Sequence, residues 1–288
     1  MPTLRETAKA KVNLTLRVLG RRPDGYHQLQ SLVAFAELGD ELFLEPGDGF
    51  RLDVDGPFAG QLGEDNLIEE AAKRLALICP DCKFGNFHLE KNLPVAAGLG
   101  GGSADAAAAL RLIARANGGR PTERQLAELA PQLGADVPVC LLQRYAMFWG
   151  LGEKVEPLGG VPEVPAVLVN PGIAVPTAEI FSALNADQIV EAATERPHLP
   201  PQFETLEALA ANLLAGTNDL ESTAIGIAPV IAEVRGAIER EPGNLMARMS
   251  GSGATCFGIF GDMESARQAA DHLARDHPDW WVAATSLS

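Results

Sequence analysis

A chain of 288 residues, 47% hydrophobic and 21% charged, carries enough apolar material for two modest cores, and without long polar tracts it does not belong to the disordered class. Its formal net charge of −15 and pI near 4.7 argue against a nucleic-acid partner, because binding a phosphate backbone needs basic patches and none stands out. The same charge means that a small phosphate-bearing ligand is not gathered from a distance. Its site must rely on backbone N–H groups and a few placed cations.

The opening stretch MPTLRETAKAKVNLTLRVLG alternates polar and apolar residues where a signal peptide would need an unbroken apolar block. No span approaches ~18 consecutive apolar residues, so a cytoplasmic protein with no membrane partner is expected. Residues 11 to 19 alternate with strand period, and 32 to 38 and 41 to 46 read as two further short strands. Residues 66 to 78 space Leu67, Ala71, Leu75 and Ile78 along one helix face, and 87 to 93 read as a strand. Cysteines at 79, 82, 140 and 256 are too scattered for a disulfide framework and are expected as reduced thiols. Cys79-Pro-Asp-Cys82 lacks the second pair that a zinc site would need, and reads as a coincidence at a helix end.

Residues 93 to 119, LPVAAGLGGGSADAAAALRLIARANGG, then place Gly98, Gly100, Gly101 and Gly102 just ahead of an alanine-rich helix expected from Ser103 to Ala116. Two readings stand. A glycine loop running into a helix start exposes unpaired N–H groups to an anion such as phosphate; alternatively, the small residues only permit a tight turn. The spacing is neither G-x-x-x-x-G-K-[ST] nor the dinucleotide fingerprint, which removes both of those phosphate sites. Thr122 with Gln125 predicts a capped helix running to about Ala130, before Pro131.

From Gly150 onward glycine and proline cluster, which predicts a domain boundary near 155, with domains 1–155 and 156–288. Beyond it come a strand in AVLVNPG, helices at 177–184, 204–214 and 228–240, a strand at 254–260 and a helix at 263–275. Strands and helices mix without regular alternation, so the class is α+β.

Four segments, in order between residues 8 and 260, carry a resemblance. Pro94, Gly98, Leu99 and Gly100 match the second motif of the GHMP kinases, a P-x-x-x-G-L-G-[SG]-S-[SA]-A-like loop. Here Gly101 and Gly102 stand where many relatives have serines, and the hydroxyl is deferred to Ser103. "AKAKVNLTLRVLGRRPDGYHQLQSL" is similar to an opening motif of one branch of that family, "GADVPVC" to its middle motif, and "MSGSGATCFGIF" to the third family motif.

The resemblance implies a two-domain GHMP kinase fold, with a left-handed βαβ crossover in the N-terminal domain and a ferredoxin-like C-terminal domain. It implies ATP-dependent phosphorylation of the 2-hydroxyl of 4-diphosphocytidyl-2-C-methyl-D-erythritol in isoprenoid precursor synthesis, with ATP and Mg²⁺. No protein ligand of the metal and no oligomeric state follow. In the implied site, Pro94, Gly98, Leu99, Gly100, Gly101, Gly102 and Ser103 cradle the ATP phosphates, and Asn66, Leu67 and Lys91 lie near the adenine. Asp136 is the base that accepts the hydroxyl proton, with Lys11 beside it. Tyr26 and Phe181 sandwich the cytosine, while His27, Asn13, Thr177 and the turn Ser250, Gly251, Ser252 and Gly253 face the substrate.

Plainer roles compete at several positions. Asp136 could cap a turn, Lys11 snorkel from a sheet edge, Asp24-Gly25 form a β-turn, Asn66 or Thr177 cap a helix, and residues 250 to 253 make only a tight turn. Two other functions also stand beside the leading one. A mevalonate or homoserine kinase of the same family would lack the Asp24-Gly25-Tyr26-His27 segment, and a silent nucleotide sensor would have no need of both Lys11 and Asp136.

Overall fold

A computed structural model describes residues 2–63, 65–159, 162–184, 203 and 205–288. They form two compact units, each assembled from separate stretches of chain. Unit one comprises Met1–Ala10, Leu38–Val95 and Gly100–Gln143; unit two comprises Lys11–Glu37, Ala96–Leu99 and Arg144–Ser288. Two long paired strands, β1 (Leu4–Arg21) and β2 (His27–Glu45), pass through both.

In unit one the second half of β2 pairs antiparallel with β4 (Gly85–Glu90), from Glu41↔Glu90 to Glu45↔Asn86. β4 in turn pairs parallel with β3 (Phe50–Asp55). Parallel neighbours need a crossover, and α1 (Leu67–Ile78) lies in that link. Three more helices follow: α2 (Gly101–Ala116), α3 (Glu123–Leu133) and α4 (Val137–Leu142). α2 packs against α1, α3 and α4, and its buried run Ala106, Ala107, Ala108 and Ala109 supplies the small side chains that let it sit at the centre.

In unit two the first half of β2 pairs antiparallel with β5 (Ala146–Gly150), which pairs with β6 (Lys154–Pro157). The rest is built on β7 (Val164–Asn170), β8 (Asn244–Met249), β9 (Cys256–Phe260) and β10 (Trp281–Leu287), in the order β10-β7-β9-β8 with every pairing antiparallel. Among the described residues, α5 (Thr177–Ala183), α6 (Leu206–Leu214), α7 (Glu221–Ile227) and α8 (Val230–Arg240) fall between β7 and β8, and α9 (Met263–Asp276) between β9 and β10. This is the split-βαβ, ferredoxin-like arrangement. Its core closes on Val167 and Val169 of β7, Ile231, Val234 and Ile238 of α8, and Leu273 of α9.

Several sequence expectations change. Residues 32–38 and 41–46 belong to one strand, β2. At Gly39, between them, a Cβ would strike the Ala8 carbonyl of β1, so glycine marks a close backbone approach. α3 continues through Pro131 to Leu133, because in the last turn the ring removes one hydrogen bond without ending the helix. The helix expected from residue 204 begins at Leu206, and residue 204 lies outside the described residues. Cys79 and Cys82 are joined in a disulfide, correcting the reading of all four thiols as reduced. Cys79 caps the end of α1, and the turn in which the Cys82 N–H donates to the Cys79 carbonyl brings their Cα atoms to 5.4 Å, within disulfide reach.

Candidate active site

The glycine loop is held by main-chain geometry. φ is positive at Ala96 (52°), Gly98 (75°) and Gly100 (64°), every second residue, an alternation related to anion-binding nests. Residues 97 to 99 are pinned within unit two. The Ala97 carbonyl accepts from Thr255 N–H at 3.2 Å, the Leu99 carbonyl from Lys11 N–H at 2.9 Å, and the Gly98 carbonyl from Ser250 Oγ at 2.9 Å. Any Cβ on Gly98 would collide with the Ser250 carbonyl and lie 2.9 Å from Gly253 N, so this glycine answers to the third-motif turn.

In unit one, α2 starts at Gly101 with Gly100 as its N-cap, two residues earlier than expected, and the cap contributes no side-chain bond. The Ala104 N–H makes the first helical bond, to Gly100 O at 2.8 Å, so helix geometry leaves the amides of Gly101, Gly102 and Ser103 outside the ladder. Leu67 Cδ1 is 3.6 Å from where a Gly102 Cβ would stand, and Lys91 Nζ 3.2 Å from that of Gly101. Ser103 Oγ is 3.9 Å from the Cβ position of Gly134, at the turn leading to Asp136. Asp136 occupies the N-cap position of α4 and makes no side-chain cap bond there. Asn66 does cap α1: its Oδ1 accepts from Ile68 N–H at 2.8 Å. Pro94 is buried just ahead of the loop.

Lys91 is buried and ion-paired, not presented as a surface cation. Its ammonium donates to Asp40 Oδ2 at 2.5 Å and Asp105 Oδ2 at 2.7 Å. Burial works against the charge, yet Asp105 and Asp40 outweigh it and hold the Lys91 pKa above the ordinary lysine value.

The remaining positions gather in unit two. Lys11 is 3% exposed, donates to Asn13 Oδ1 at 2.6 Å and lies 6.0 Å from the Phe148 ring centroid, an interior strand position and not a snorkelling edge. Asn13 Nδ2 donates to Ser31 Oγ at 2.7 Å, and the Asn13 amide donates to Ser250 Oγ at 3.0 Å. Gly251 has φ 55°, and Ser252 Oγ is 2.8 Å from Thr177 Oγ1. Thr177 is therefore tied to the third-motif turn, while Pro176 holds the N-cap position of α5. Phe181 stacks on His27 with centroids 4.9 Å apart, and Tyr26 is 66% exposed.

Four residues absent from the sequence reading shape these clusters. Asn218 donates to the carbonyls of Met249 and Gly251, both at 2.8 Å. Arg248 donates to those of Leu14, Leu213 and Gly216, and burial lowers its pKa against the pull of Glu221. Asp40 and Asp105 hold Lys91. Asp105 had a signal available: an acidic residue in the buried face of an alanine-rich helix must find a partner.

Comparison with known proteins decides the family. Residues 66–144 match the GHMP kinases N terminal domain and residues 186–279 the GHMP kinases C terminal domain. The chain belongs to the GHMP kinase family. Among related GHMP kinases, the protein named 4-diphosphocytidyl-2-C-methyl-D-erythritol kinase from Rhodopseudomonas palustris is 50% identical, over 99% of this chain and 98% of its own. A protein of the same name from Parvibaculum lavamentivorans is 51% identical over 96% of each chain. The crystal structure of a 4-(cytidine 5'-diphospho)-2C-methyl-D-erythritol kinase superposes with a TM-score of 0.77 at 38% identity, covering 99% of both chains. The homoserine kinase from Cytophaga hutchinsonii, at a TM-score of 0.69 and 18% identity over 100% of this chain and 95% of its own, shares the GHMP kinase fold.

Proposed function

We propose that this GHMP kinase transfers the γ-phosphate of ATP to the 2-hydroxyl of 4-diphosphocytidyl-2-C-methyl-D-erythritol, giving the 2-phosphate and ADP. End-to-end identity of about half with relatives of that name carries the reading, and the Asp24-Gly25-Tyr26-His27 segment supports it over other acceptor alcohols.

In this reading the amides of Gly101, Gly102 and Ser103, with the loop Pro94, Gly98, Leu99 and Gly100, receive the triphosphate, the α2 dipole adding to them. Asn66 and Leu67 flank the adenine, the former also capping α1; Lys91 acts from beneath the loop. Asp136 takes the hydroxyl proton as the in-line attack develops, and Lys11 compensates the charge that builds on the transferring group. Asn13, Thr177 and residues 250 to 253 hold the substrate's polar groups, and the cytosine is read by His27 and the aromatic faces of Tyr26 and Phe181.

Mg²⁺ would screen the phosphates. Among the described residues no group of three or more His, Cys, Asp or Glu could hold a metal ion. When bound, such an ion would be held by the phosphate oxygens and water, and we assign it no protein ligand.

We also propose a cytoplasmic location, consistent with a water-soluble phosphorylated substrate; no helix among the described residues is long and apolar enough to cross a membrane. Domains 1–155 and 156–288 remain our division of the chain, supported by family matches ending at 144 and resuming at 186. A coupled ADP-release assay with and without the cytidine substrate tests the activity. Release that depends on that substrate is expected; nucleotide binding without release would instead identify a sensor.

A further inference from the structure

Three ionisable side chains lie beneath the first turn of α2. Asp40 of β2, Lys91 after β4 and Asp105 of α2 are 0%, 2% and 3% exposed. Asp40 accepts three hydrogen bonds: Oδ1 from the Asn92 and Leu93 amides at 2.6 and 2.8 Å, and Oδ2 from Lys91. Asp105 Oδ2 meets Lys91 Nζ, while its Oδ1 is buried with no hydrogen-bond partner among the described residues. The cluster also touches the turn itself, because the Cβ position of Gly101 is 3.2 Å from Lys91 Nζ and 3.7 Å from Asp40 Oδ2. An alanine at 101 would press on the ammonium, which gives this glycine a reason independent of any ligand.

Charge is the difficulty. Two carboxylates and one ammonium, all ionised, leave one buried negative charge under the amides proposed for phosphate. A proton on Asp105 cancels it. Burial, opposed by the Lys91 ammonium and reinforced by Asp40, pushes the Asp105 carboxyl up to about 8. Lys91 and Asp40 are the charged groups that act on it.

We propose that Lys91, Asp40 and Asp105 are positioning residues that support the first turn of α2 for nucleotide phosphate, and that in alkaline solution nucleotide binding completes the protonation of Asp105 from solvent. The carboxylate lone pair takes the proton from water or buffer, no other bond changes, and Lys91 stays an ammonium. The proposal rests on the reading that the phosphates sit at the start of α2.

The test is calorimetric titration with Mg·ADP near pH 8, in two buffers of different ionisation heat, on the wild-type protein and Asp105→Asn. The wild type takes up a fraction of a proton per nucleotide and the variant takes up none. Above about pH 8 the wild-type Kd weakens by up to about tenfold per pH unit, whereas that of Asp105→Asn stays flat. Equal uptake in both proteins, or none in the wild type, overturns the proposal. A protein that binds no Mg·ADP sinks the phosphate-loop reading itself, and the proposal with it. Infrared difference spectra of the wild-type protein need no variant: a protonated-carboxyl band should rise on adding Mg·ADP, and its absence overturns the assignment.

Discussion

Asp136 stands at the N-cap position of α4, and proton transfer is the role we propose for it. Asp136→Asn keeps the shape and removes the base, so turnover should fall by ~10² to 10⁴ in the ADP-release assay while nucleotide affinity holds within about threefold. A variant retaining more than about a tenth of wild-type turnover would remove Asp136 from that role. His27 stacks on Phe181, and we propose that it serves the acceptor side. His27→Ala should raise KM for the cytidine substrate by about tenfold or more and leave KM for ATP nearly unchanged; equal effects on both would contradict the assignment. The family resemblance pointed to these residues, but nothing in the sequence signalled that Lys91 is enclosed between two carboxylates. Its partners lie 51 and 14 positions away and meet it only once β2, β4 and α2 are packed.

Local chemistry was most legible where both partners lie within one turn of chain. Thr122 and Gln125 form the expected capping box, and Asn66 takes the capping role read for it. Asn66→Ala should cost about 1 kcal/mol of stability, restored by Asn66→Ser because serine also caps. Thermal unfolding reads the cap, and KM for ATP in Asn66→Ser reads any separate contact with the adenine. Element ends set by distant contacts were not legible. The Leu-Gly-Asp at 38–40 carries turn chemistry, yet β2 runs straight through it because Gly39 lets β1 approach. β8 and β10 gain their definition from neighbours on β9 and β7, not from strong alternation of their own. At Gly98 both a positive φ and the Ser250 carbonyl stand against a side chain. Gly98→Ala should therefore lower the unfolding midpoint and weaken nucleotide binding together, at about 1–3 kcal/mol of stability.

Across the whole molecule, the buried acid leaves a mark on stability. The native state keeps the Asp105 proton up to about 8, whereas the unfolded chain releases it near the ordinary value of 3.8. Between those limits the native state binds more protons, so this group makes stability fall as pH rises from about 4 to about 8. Asp105→Asn should flatten that slope in urea unfolding measured across the window, and an unchanged slope would place the effect elsewhere. The net charge of −15 acts over longer range. It repels free nucleotide, so moderate salt should speed association where a basic protein would be slowed. The contacts that shape residues 97 to 99 come from Lys11 at one end of the chain and Ser250 and Thr255 near the other. During synthesis the ribosome releases the glycine segment some 150 residues before the serine that grips it, so a growing chain carries that segment long before Ser250 can hold it. Any fragment ending ahead of β8 should leave ATP untouched, which delays the first turnover until almost the last strand has been made.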